Sequence, residues 1–267
     1  MRYKQHTART SLKSTGLHYP DRMAMEENIY ELKYKLALAS RILAMEELDE
    51  GGINGHLSLK LPNSHDLFLV NPFGFLFDEV TPDNLILVNK DGRVVEGKYP
   101  LNIAGFGIHS CIHEMYPGIN CIVHTHSPWG NLFSALGTGI DPIDQNCCIF
   151  FENHAIYQDY NGPLIDQDDS ESLAKAMGDN NALILKNRGA ITCGESIETA
   201  VMYMIAMERA FRINILARSN GVRGTILPEV ARSTREWIAN PIGFKIEFNA
   251  LVRKAENKYP ELLAFKP

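Results

Sequence analysis

A short apolar run that ends in two histidines constrains the fold of this chain more than any other feature. Residues 121–123 are apolar and favour a buried strand, which ends at His124 and His126. Because side chains two residues apart on a strand point to the same side, both imidazoles project from one strand end, where α/β proteins place ligands. Two neutral imidazoles held in this way suit a divalent transition metal, although buried strand histidines that only form hydrogen bonds are also common.

The composition limits the class of protein and its partners. The chain has 267 residues, of which 45% are hydrophobic, and a net charge of −6 without a long basic block. These values argue against nucleic acid or an anionic membrane as the partner. We find no signal-peptide pattern and no apolar run of about 18 residues, so we expect neither standard secretion nor a membrane span. The five cysteines lack a CxxC motif and favour a reducing compartment, and we expect a cytoplasmic protein.

The periodicity of apolar residues predicts one domain at residues 26–267, preceded by a loosely ordered arm at residues 1–25. We predict helices at residues 26–49, 104–115, 128–136, 170–177 and 196–219, and two shorter helices after Pro228 and Pro241. We predict strands at residues 56–61, 67–70, 85–88, 94–96, 119–124, 182–185 and 190–193. This pattern favours short mixed strands covered by helices.

Several segments of the chain resemble the class II aldolase/adducin family in both order and spacing. They are Gly-Ile-Asn-Gly-His-Leu-Ser at 52–58, Ala-Gly-Phe-Gly-Ile-His-Ser-Cys-Ile-His at 104–113, Pro117, His-Thr-His-Ser at 124–127, Glu-Asn-His-Ala at 152–155, and Lys-Asn-Arg-Gly-Ala-Ile-Thr-Cys-Gly at 186–194. The resemblance covers roughly residues 26–220, and the combination is far more specific than any one segment.

The resemblance implies a fold, an assembly and a cofactor. The fold would be α/β, a three-layer α/β/α sandwich with a mostly antiparallel central sheet, and the assembly a homotetramer. Family members hold zinc or another divalent ion through the His-x-His imidazoles, here His124 and His126, and a third histidine in an Asn-His-Gly turn. In the aldolases, a glutamate on the helix before the His-x-His strand acts as acid and base. The ion polarises a carbonyl of a small-molecule substrate.

Two positions depart from the family pattern. Arg188 replaces the third histidine, and the glutamate position falls on Gly105. A guanidinium has no lone pair to donate, and its charge at about 5 Å from a divalent ion would cost about 7 kcal/mol at an effective dielectric of about 20. Arg188 therefore turns away, pairs with a carboxylate or faces an anionic substrate. His154 is our candidate third ligand, and His109 and Glu152 are alternatives.

Without the glutamate, proton transfer falls to His56, His109, a tyrosine or metal-bound water. His56 lies in the Gly-rich loop and is one candidate for acid–base catalysis. His109 is also a candidate, but it shares a helix face with His113. The alternative is that both side chains pack against the sheet and bond only to backbone or water. A loop with Tyr157, Asp159 and Tyr160 forms either the mouth of a pocket or a solvated turn.

The substrate pocket of the family is only partly kept. Asn54, Ser58 and Gly74 match positions where the aldolases bind a substrate phosphate, and we predict that they contact substrate. Phe73, Ile103 and Ala104 stand where hydroxyl groups would bind a phosphate, and an apolar wall binds a dianion poorly. We therefore expect a non-phosphorylated substrate, with an aromatic or apolar tail as one option.

Two further residues have competing interpretations. Trp129 follows the histidine strand, where it either stacks on a substrate or packs in the core. Glu208, with Arg209 and Arg212, is expected to form ion pairs of small energetic value, either on the surface or at an interface.

These observations favour an enzyme of the lyase type that uses a divalent ion, with zinc first and iron or manganese as alternatives. Aldol cleavage, decarboxylation and dehydration next to a carbonyl all fit. A non-heme iron oxygenase is a variant, since two histidines and one carboxylate suit iron. A non-catalytic binding or scaffold protein like adducin is the main alternative, supported by the loss of two catalytic groups and opposed by the retention of both imidazoles.

Overall fold

A computed structural model describes residues 22–49, 52–62, 64, 66–160, 162 and 167–267. Residues 1–21, which make up most of the predicted arm, lie outside these ranges. The first helix, α1 (Arg22–Met45), begins four residues earlier than the periodicity predicted. No helix in the described part of the chain is both long enough and apolar enough to span a membrane. All five cysteines lie within the described ranges, and none of them forms a disulfide.

Eight strands in the described part of the chain form one sheet with the order β4-β3-β2-β1-β5-β8-β7-β6. The strands are β1 (His56–Lys60), β2 (Leu67–Val70), β3 (Ile86–Asn89), β4 (Val94–Glu96), β5 (Cys121–Thr125), β6 (Ala155–Tyr157), β7 (Ala182–Leu185) and β8 (Gly189–Gly194). Neighbouring strands in this sheet are antiparallel except β6 and β7, which are parallel. The sequence did not predict β6, because its three residues are too few to show a periodicity and, unlike those of β4, do not follow a hairpin turn.

The described helices lie on both sides of the sheet. After α1 they are α2 (Ile103–Met115), α3 (Pro128–Ala135), α4 (Gln167–Met177), α5 (Ile197–Ser219), α6 (Pro228–Ile238) and α7 (Pro241–Lys258). One apolar core joins the sheet to α1, α3, α5 and α7, and a second joins it to α2 and α4. The expected three-layer α/β/α sandwich is therefore confirmed, although α7 is longer than predicted.

The alternation of side chains along β5 decides which helices the histidines meet. Cys121 and Val123 pack in the core with α1 and α5, whereas Ile122 packs in the core with α2 and α4. His124, two residues after Ile122, lies on the same side of the strand and therefore faces α2. The order of apolar residues in β5 thus directs the first imidazole of the His-x-His pair towards the N-terminal half of α2.

Candidate active site

Strand register brings together histidines that are distant in sequence. β1 and β5 pair so that His56 lies opposite His124. The ring centroids of these two residues are 4.9 Å apart, and the His126 ring is 4.8 Å from that of His124. α2 contributes His109, whose ring centroid is 4.4 Å from that of His56. Four imidazoles therefore form one cluster beside the paired ends of β1 and β5.

A pocket of about 460 Å³ opens at this cluster, a volume that suits a small-molecule ligand. Its lining includes the predicted site residues Asn54, His56, His124, His126 and Arg188, together with Gly105 of α2. Ala104 and Ile108 supply apolar surface to the same pocket. Residues from β1, β5, α2 and the turn between β7 and β8 thus converge on one cavity.

The hydrogen bonds of His124 fix which of its nitrogens faces outward. Its Nδ1 atom lies 3.0 Å from the carbonyl oxygen of Ala190 on β8. A carbonyl oxygen only accepts hydrogen bonds, so Nδ1 carries the proton and Nε2 keeps a lone pair in the neutral ring. This arrangement is the usual one for a histidine that ligates a metal through Nε2.

Three histidines of the cluster, His56, His109 and His124, are held in the neutral form. Burial, with a further contribution from His126, lowers the pKa of His56 to about 3. Burial and the neighbouring rings hold the pKa values of His109 and His124 well below 6.5. Because desolvation penalises the charged form, the rings keep their lone pairs at neutral pH. Neutral imidazoles can accept a proton from a substrate or ligate a cation.

His56 occupies the space in front of Gly105. A Cβ atom added to Gly105 would lie 2.3 Å from Nε2 of His56, so no side chain fits at this position while His56 keeps its place. The backbone of Gly105 is fixed in the first turn of α2, because its amide donates a hydrogen bond to the side chain of the N-cap residue Asn102 at 3.1 Å. It therefore cannot shift to make room for a side chain. Nε2 of His56 thus lies beside the position that matches the family glutamate.

Arg188 points into the same pocket. Its guanidinium is half-buried, donates to the carbonyl oxygen of Gly162 and lies over the Tyr160 ring at 5.3 Å from the centroid. Its positive charge is one of the causes that lower the pKa of His124. Tyr160 also lines the pocket, whereas Tyr157 is buried in the core with α2 and α4. The expected mouth of the pocket therefore involves Tyr160 and not Tyr157.

The backbone of the β7–β8 turn places Arg188 beside β5. Asn187 and Gly189 both have positive φ, at 61° and 86°. A Cβ atom on Gly189 would lie 2.2 Å from the carbonyl oxygen of Thr125, so only glycine allows the turn to approach the end of β5 this closely. This close approach of the turn makes Arg188 a neighbour of the strand end that carries His124 and His126.

His154 and Glu152 do not lie in the position expected of a third metal ligand. Nδ1 of His154 is 2.6 Å from the carbonyl oxygen of Phe150, and Nε2 accepts a hydrogen bond from the amide of Ile140 at 3.0 Å. Both ring nitrogens are therefore used by the backbone. Glu152 is exposed and pairs with Arg232 at 2.7 and 2.9 Å. His154 as the third ligand is accordingly an expectation that this arrangement contradicts.

Three other predicted contacts do not line the pocket. Ser58 is fully buried beneath it and bonds to His109 and to His113. Gly74 lies in an exposed turn after β2 with φ of 89°. Trp129 packs against the core of α1, α3, α5 and α7, which agrees with core packing and not with substrate stacking.

Glu208 has a structural role that the sequence analysis missed. Its carboxylate is buried and accepts hydrogen bonds from the Ser127 hydroxyl at 2.5 Å and from the amides of Trp129 and Gly130 at 2.9 and 3.0 Å. For Glu208, the predicted surface ion pair is therefore wrong, whereas Arg209 pairs with Glu46 at 3.1 Å. Glu208 instead binds the N-terminus of α3, directly after His126. Its position four residues after the buried Met204, on the apolar side of α5, is the signal that could have predicted its burial.

The donor set fits a divalent ion only in part. Within the described residues, no group of three or more His, Cys, Asp or Glu side chains is arranged to hold a metal ion. Nε2 of His124 has the lone pair that a metal requires, and His126 lies next to it in the pocket. Arg188 adds a positive charge where a further ligand would be useful. Two imidazoles are thus suitable donors, but the described residues do not supply the third protein ligand that a catalytic zinc site usually has.

Comparisons with known proteins agree with this fold. The family described as "Class II Aldolase and Adducin N-terminal domain" matches residues 34–215. The chain is 31% identical over 237 residues to a "4-hydroxy-3-prenylphenylpyruvate oxygenase/4-hydroxy-3-prenylbenzoate synthase" of Streptomyces roseochromogenus subsp. oscitans, with 88% of this chain and 86% of that protein covered. It is also 31% identical over 237 residues to "Decarboxylase NovR" of Streptomyces niveus, with 88% of each chain covered.

A solved structure shows the same architecture. The L-fuculose 1-phosphate aldolase from Glaciozyma antarctica PI12 superposes with a TM-score of 0.82 at 32% sequence identity, over 91% of this chain and 95% of that one. The chain therefore belongs to the class II aldolase/adducin family. The sequence resemblance is confirmed, and the eight-stranded sheet with helices on both sides is the fold of the fuculose-phosphate aldolase.

Proposed function

We propose that this protein is a lyase-type enzyme that acts next to the carbonyl group of a small, non-phosphorylated 2-oxo acid. The observation that carries the proposal is the convergence of His56, His124 and Arg188 on one pocket. The relatives named as a decarboxylase and as a prenylphenylpyruvate oxygenase support chemistry at such a carbonyl. The candidate reactions are aldol cleavage, dehydration, and loss of a carboxylate that lies β to the carbonyl, because each of them passes through an enolate of the 2-oxo acid.

Arg188 would bind the substrate carboxylate. A guanidinium forms two parallel hydrogen bonds with a carboxylate, and Tyr160 and Gly162 already hold it in place before a ligand arrives. The pocket surface of Ala104 and Ile108 suits the apolar tail of such a substrate better than a phosphate. The substrate carbonyl would then lie near the imidazole cluster.

His56 would act as the acid and base. Its Nε2 atom lies in the space that a side chain at position 105 would occupy, here called the Gly105 gap, and burial lowers its pKa to about 3. An anionic substrate raises this pKa, because the imidazolium would then face a negative charge. His56 can therefore take a proton from the bound substrate and return it to the product. The predicted role of His109 is indirect, because its Nε2 atom lies 2.9 Å from Nδ1 of His56.

His124 and His126 would hold a divalent ion, with zinc, iron or manganese as candidates. When bound, the ion polarises the carbonyl and stabilises the enolate. The two-imidazole set implies weak binding in the absence of substrate, since Arg188 repels a cation and supplies no lone pair. The oxygenase variant would need a carboxylate ligand, and Glu152 is engaged by Arg232. It is therefore less well supported than a lyase.

The same proposal includes assembly as a homotetramer in the cytoplasm. Large apolar side chains of α6 and α7 are exposed in the single chain, with Trp237 at 81%, Ile242 at 75% and Ile246 at 66%. Contacts between subunits would cover surface of this kind. The cysteines without a disulfide support a reducing environment.

Changing Arg188 to glutamine tests the role of the guanidinium in substrate binding. We expect phenylpyruvate, used as the 2-oxo acid probe, to bind this variant roughly 10- to 100-fold more weakly, because hydrogen bonds to a charged group are lost. Calorimetric titration measures the change. The methyl ester of the probe is the matched ligand control, and it should bind both proteins equally. Equal affinity of the wild-type protein and R188Q for the free acid would contradict the proposal.

Changing Arg188 to histidine tests the position of the turn relative to the ion. We expect zinc affinity, measured by titration of chelator-treated protein, to rise roughly 100-fold or more, because a charge is removed and a lone pair is added. R188Q is the control, since it removes the charge without adding a ligand and should show a smaller gain. If R188H binds zinc no better than R188Q, position 188 does not lie beside the ion.

A further inference from the structure

A chain of hydrogen bonds runs from the pocket into the core. Nδ1 of His56 lies 2.9 Å from Nε2 of His109, and Nδ1 of His109 lies 2.8 Å from the hydroxyl of Ser58. The same hydroxyl lies 2.8 Å from Nε2 of His113, whose Nδ1 is 3.1 Å from the carbonyl oxygen of Ile119. All four side chains are at most 6% exposed, so water does not compete for these bonds.

Two local periodicities build this chain. His56 and Ser58 are two residues apart on β1 and point to the same side. His109 and His113 are four residues apart on α2 and share a helix face. The strand pair and the helix pair interlock, so each side chain of one element contacts the other element. The expectation that the two helix histidines bond only to backbone or water is therefore incomplete.

One backbone carbonyl sets the direction of every bond. The Ile119 oxygen can only accept, so Nδ1 of His113 carries its proton and Nε2 accepts from the Ser58 hydroxyl. The hydroxyl has a single proton and therefore accepts from Nδ1 of His109. Nε2 of His109 then carries a lone pair and accepts a hydrogen bond from Nδ1 of His56. The remaining nitrogen, Nε2 of His56, is left as a lone pair at the Gly105 gap.

We propose that Ser58 and His113 are positioning residues that, through His109, fix the ring proton of His56 on Nδ1 and keep its Nε2 lone pair directed into the pocket. Neutral rings are required for this order. Burial supplies this condition, since it lowers the pKa of His113 to about 3 as it does that of His56. The consequence for catalysis rests on the proposed function, whereas the order of the protons in the chain does not.

Two substitutions disturb the chain in different ways. Ser58→Ala removes the acceptor of His109, so both tautomers of His109 and of His56 become accessible. His113→Phe removes the anchor but fills the space next to Phe68, whose ring centroid lies 4.8 Å from that of His113. The Ser58 hydroxyl can then donate to His109, and the chain reverses until Nε2 of His56 carries the proton. Ser40→Ala is the matched control, because it removes another buried hydroxyl, in α1.

Nitrogen NMR of protein labelled with ¹⁵N-histidine and treated with chelator reads the tautomer of His56 directly. We expect an unprotonated Nε2 and a protonated Nδ1 in the wild-type protein and in S40A. We expect a mixture in S58A and the reversed assignment in H113F. A wild-type spectrum with the proton on Nε2 of His56 overturns the proposal, whether or not the variants fold. An unchanged His56 tautomer in both folded variants overturns it as well.

Kinetics separate this proposal from the proposed function. If His56 is the acid and base, S58A and H113F lower kcat for a 2-oxo acid substrate roughly 10- to 100-fold with a smaller change in KM. Ser58→Thr, which retains a hydroxyl, should restore part of kcat. If the tautomers shift as expected while kcat is unchanged, the hydrogen-bond chain stands and the role of His56 as acid and base fails.

Discussion

Replacing His56 with alanine is expected to lower kcat by roughly 10²- to 10⁴-fold, the usual contribution of a general acid–base group. The reason is geometric. Nε2 of His56 lies in the space in front of Gly105, because a Cβ atom added to Gly105 would be only 2.3 Å from it. This nitrogen carries the lone pair that accepts the proton. Binding of the carboxylate depends on Arg188, so KM should change much less than kcat. Steady-state cleavage of a 4-hydroxy-2-oxo acid measures both constants, because such a substrate carries the hydroxyl and the carbon–carbon bond that the proposed reactions require.

A second histidine variant controls for general damage. His154→Gln removes a half-buried imidazole whose two nitrogens bond to the backbone of Phe150 and Ile140, away from the pocket lining. Its kcat should stay near that of the wild-type protein even if its Tm falls. Retention of kcat in H56A, measured on a folded sample, would remove His56 from the mechanism.

Mild acid is expected to unfold the protein. The pKa of His56 and of His113 is lowered to about 3, and those of His109 and His124 lie well below 6.5. The unfolded chain therefore binds more protons than the native chain as the pH falls below about 6.5. Each of these histidines then costs about 1.4 kcal/mol of unfolding free energy per pH unit, or about 5 kcal/mol per unit for the four together. A domain stability of about 5–15 kcal/mol would be exhausted near pH 5.

Urea unfolding of chelator-treated protein between pH 8 and pH 5 measures this dependence. The free energy of unfolding should be nearly constant above about pH 7 and fall steeply below about pH 6.5, with a slope close to four protons. The H113F variant has one fewer such group and should show a slope close to three. A slope below one proton would mean that the buried rings accept protons without unfolding, contrary to the neutral cluster described above.

Local patterns predicted those parts of the fold that depend on short segments. The strand before His124, the helix that carries His109 and the hairpin of β3 and β4 all follow from periodicity and turn residues within about a dozen positions. The resemblance supplied the three-layer arrangement. The departures at Arg188 and Gly105 were also visible in the sequence, because both fall inside matched segments.

Contacts across the sheet could not be predicted in this way. The closeness of His56 and His124 depends on the register of β1 against β5, and no local pattern specifies how strands 68 positions apart align. The hydrogen bond between Ser58 and His113 depends on that register and on the docking of α2. The backbone bonds of His154 likewise arise from a loop without periodicity. Physical proximity in this site is therefore a property of tertiary packing.

The central claim is that the pocket between β1, β5 and the β7–β8 turn binds a 2-oxo acid for catalysis. A crystal structure of the protein with bound phenylpyruvate, or with its reduced analogue phenyllactate, tests it most directly. The claim predicts the ligand carboxylate on Arg188 and its C2 oxygen beside His56 and His124. A ligand bound elsewhere, in a protein that still turns over 2-oxo acids, would contradict it.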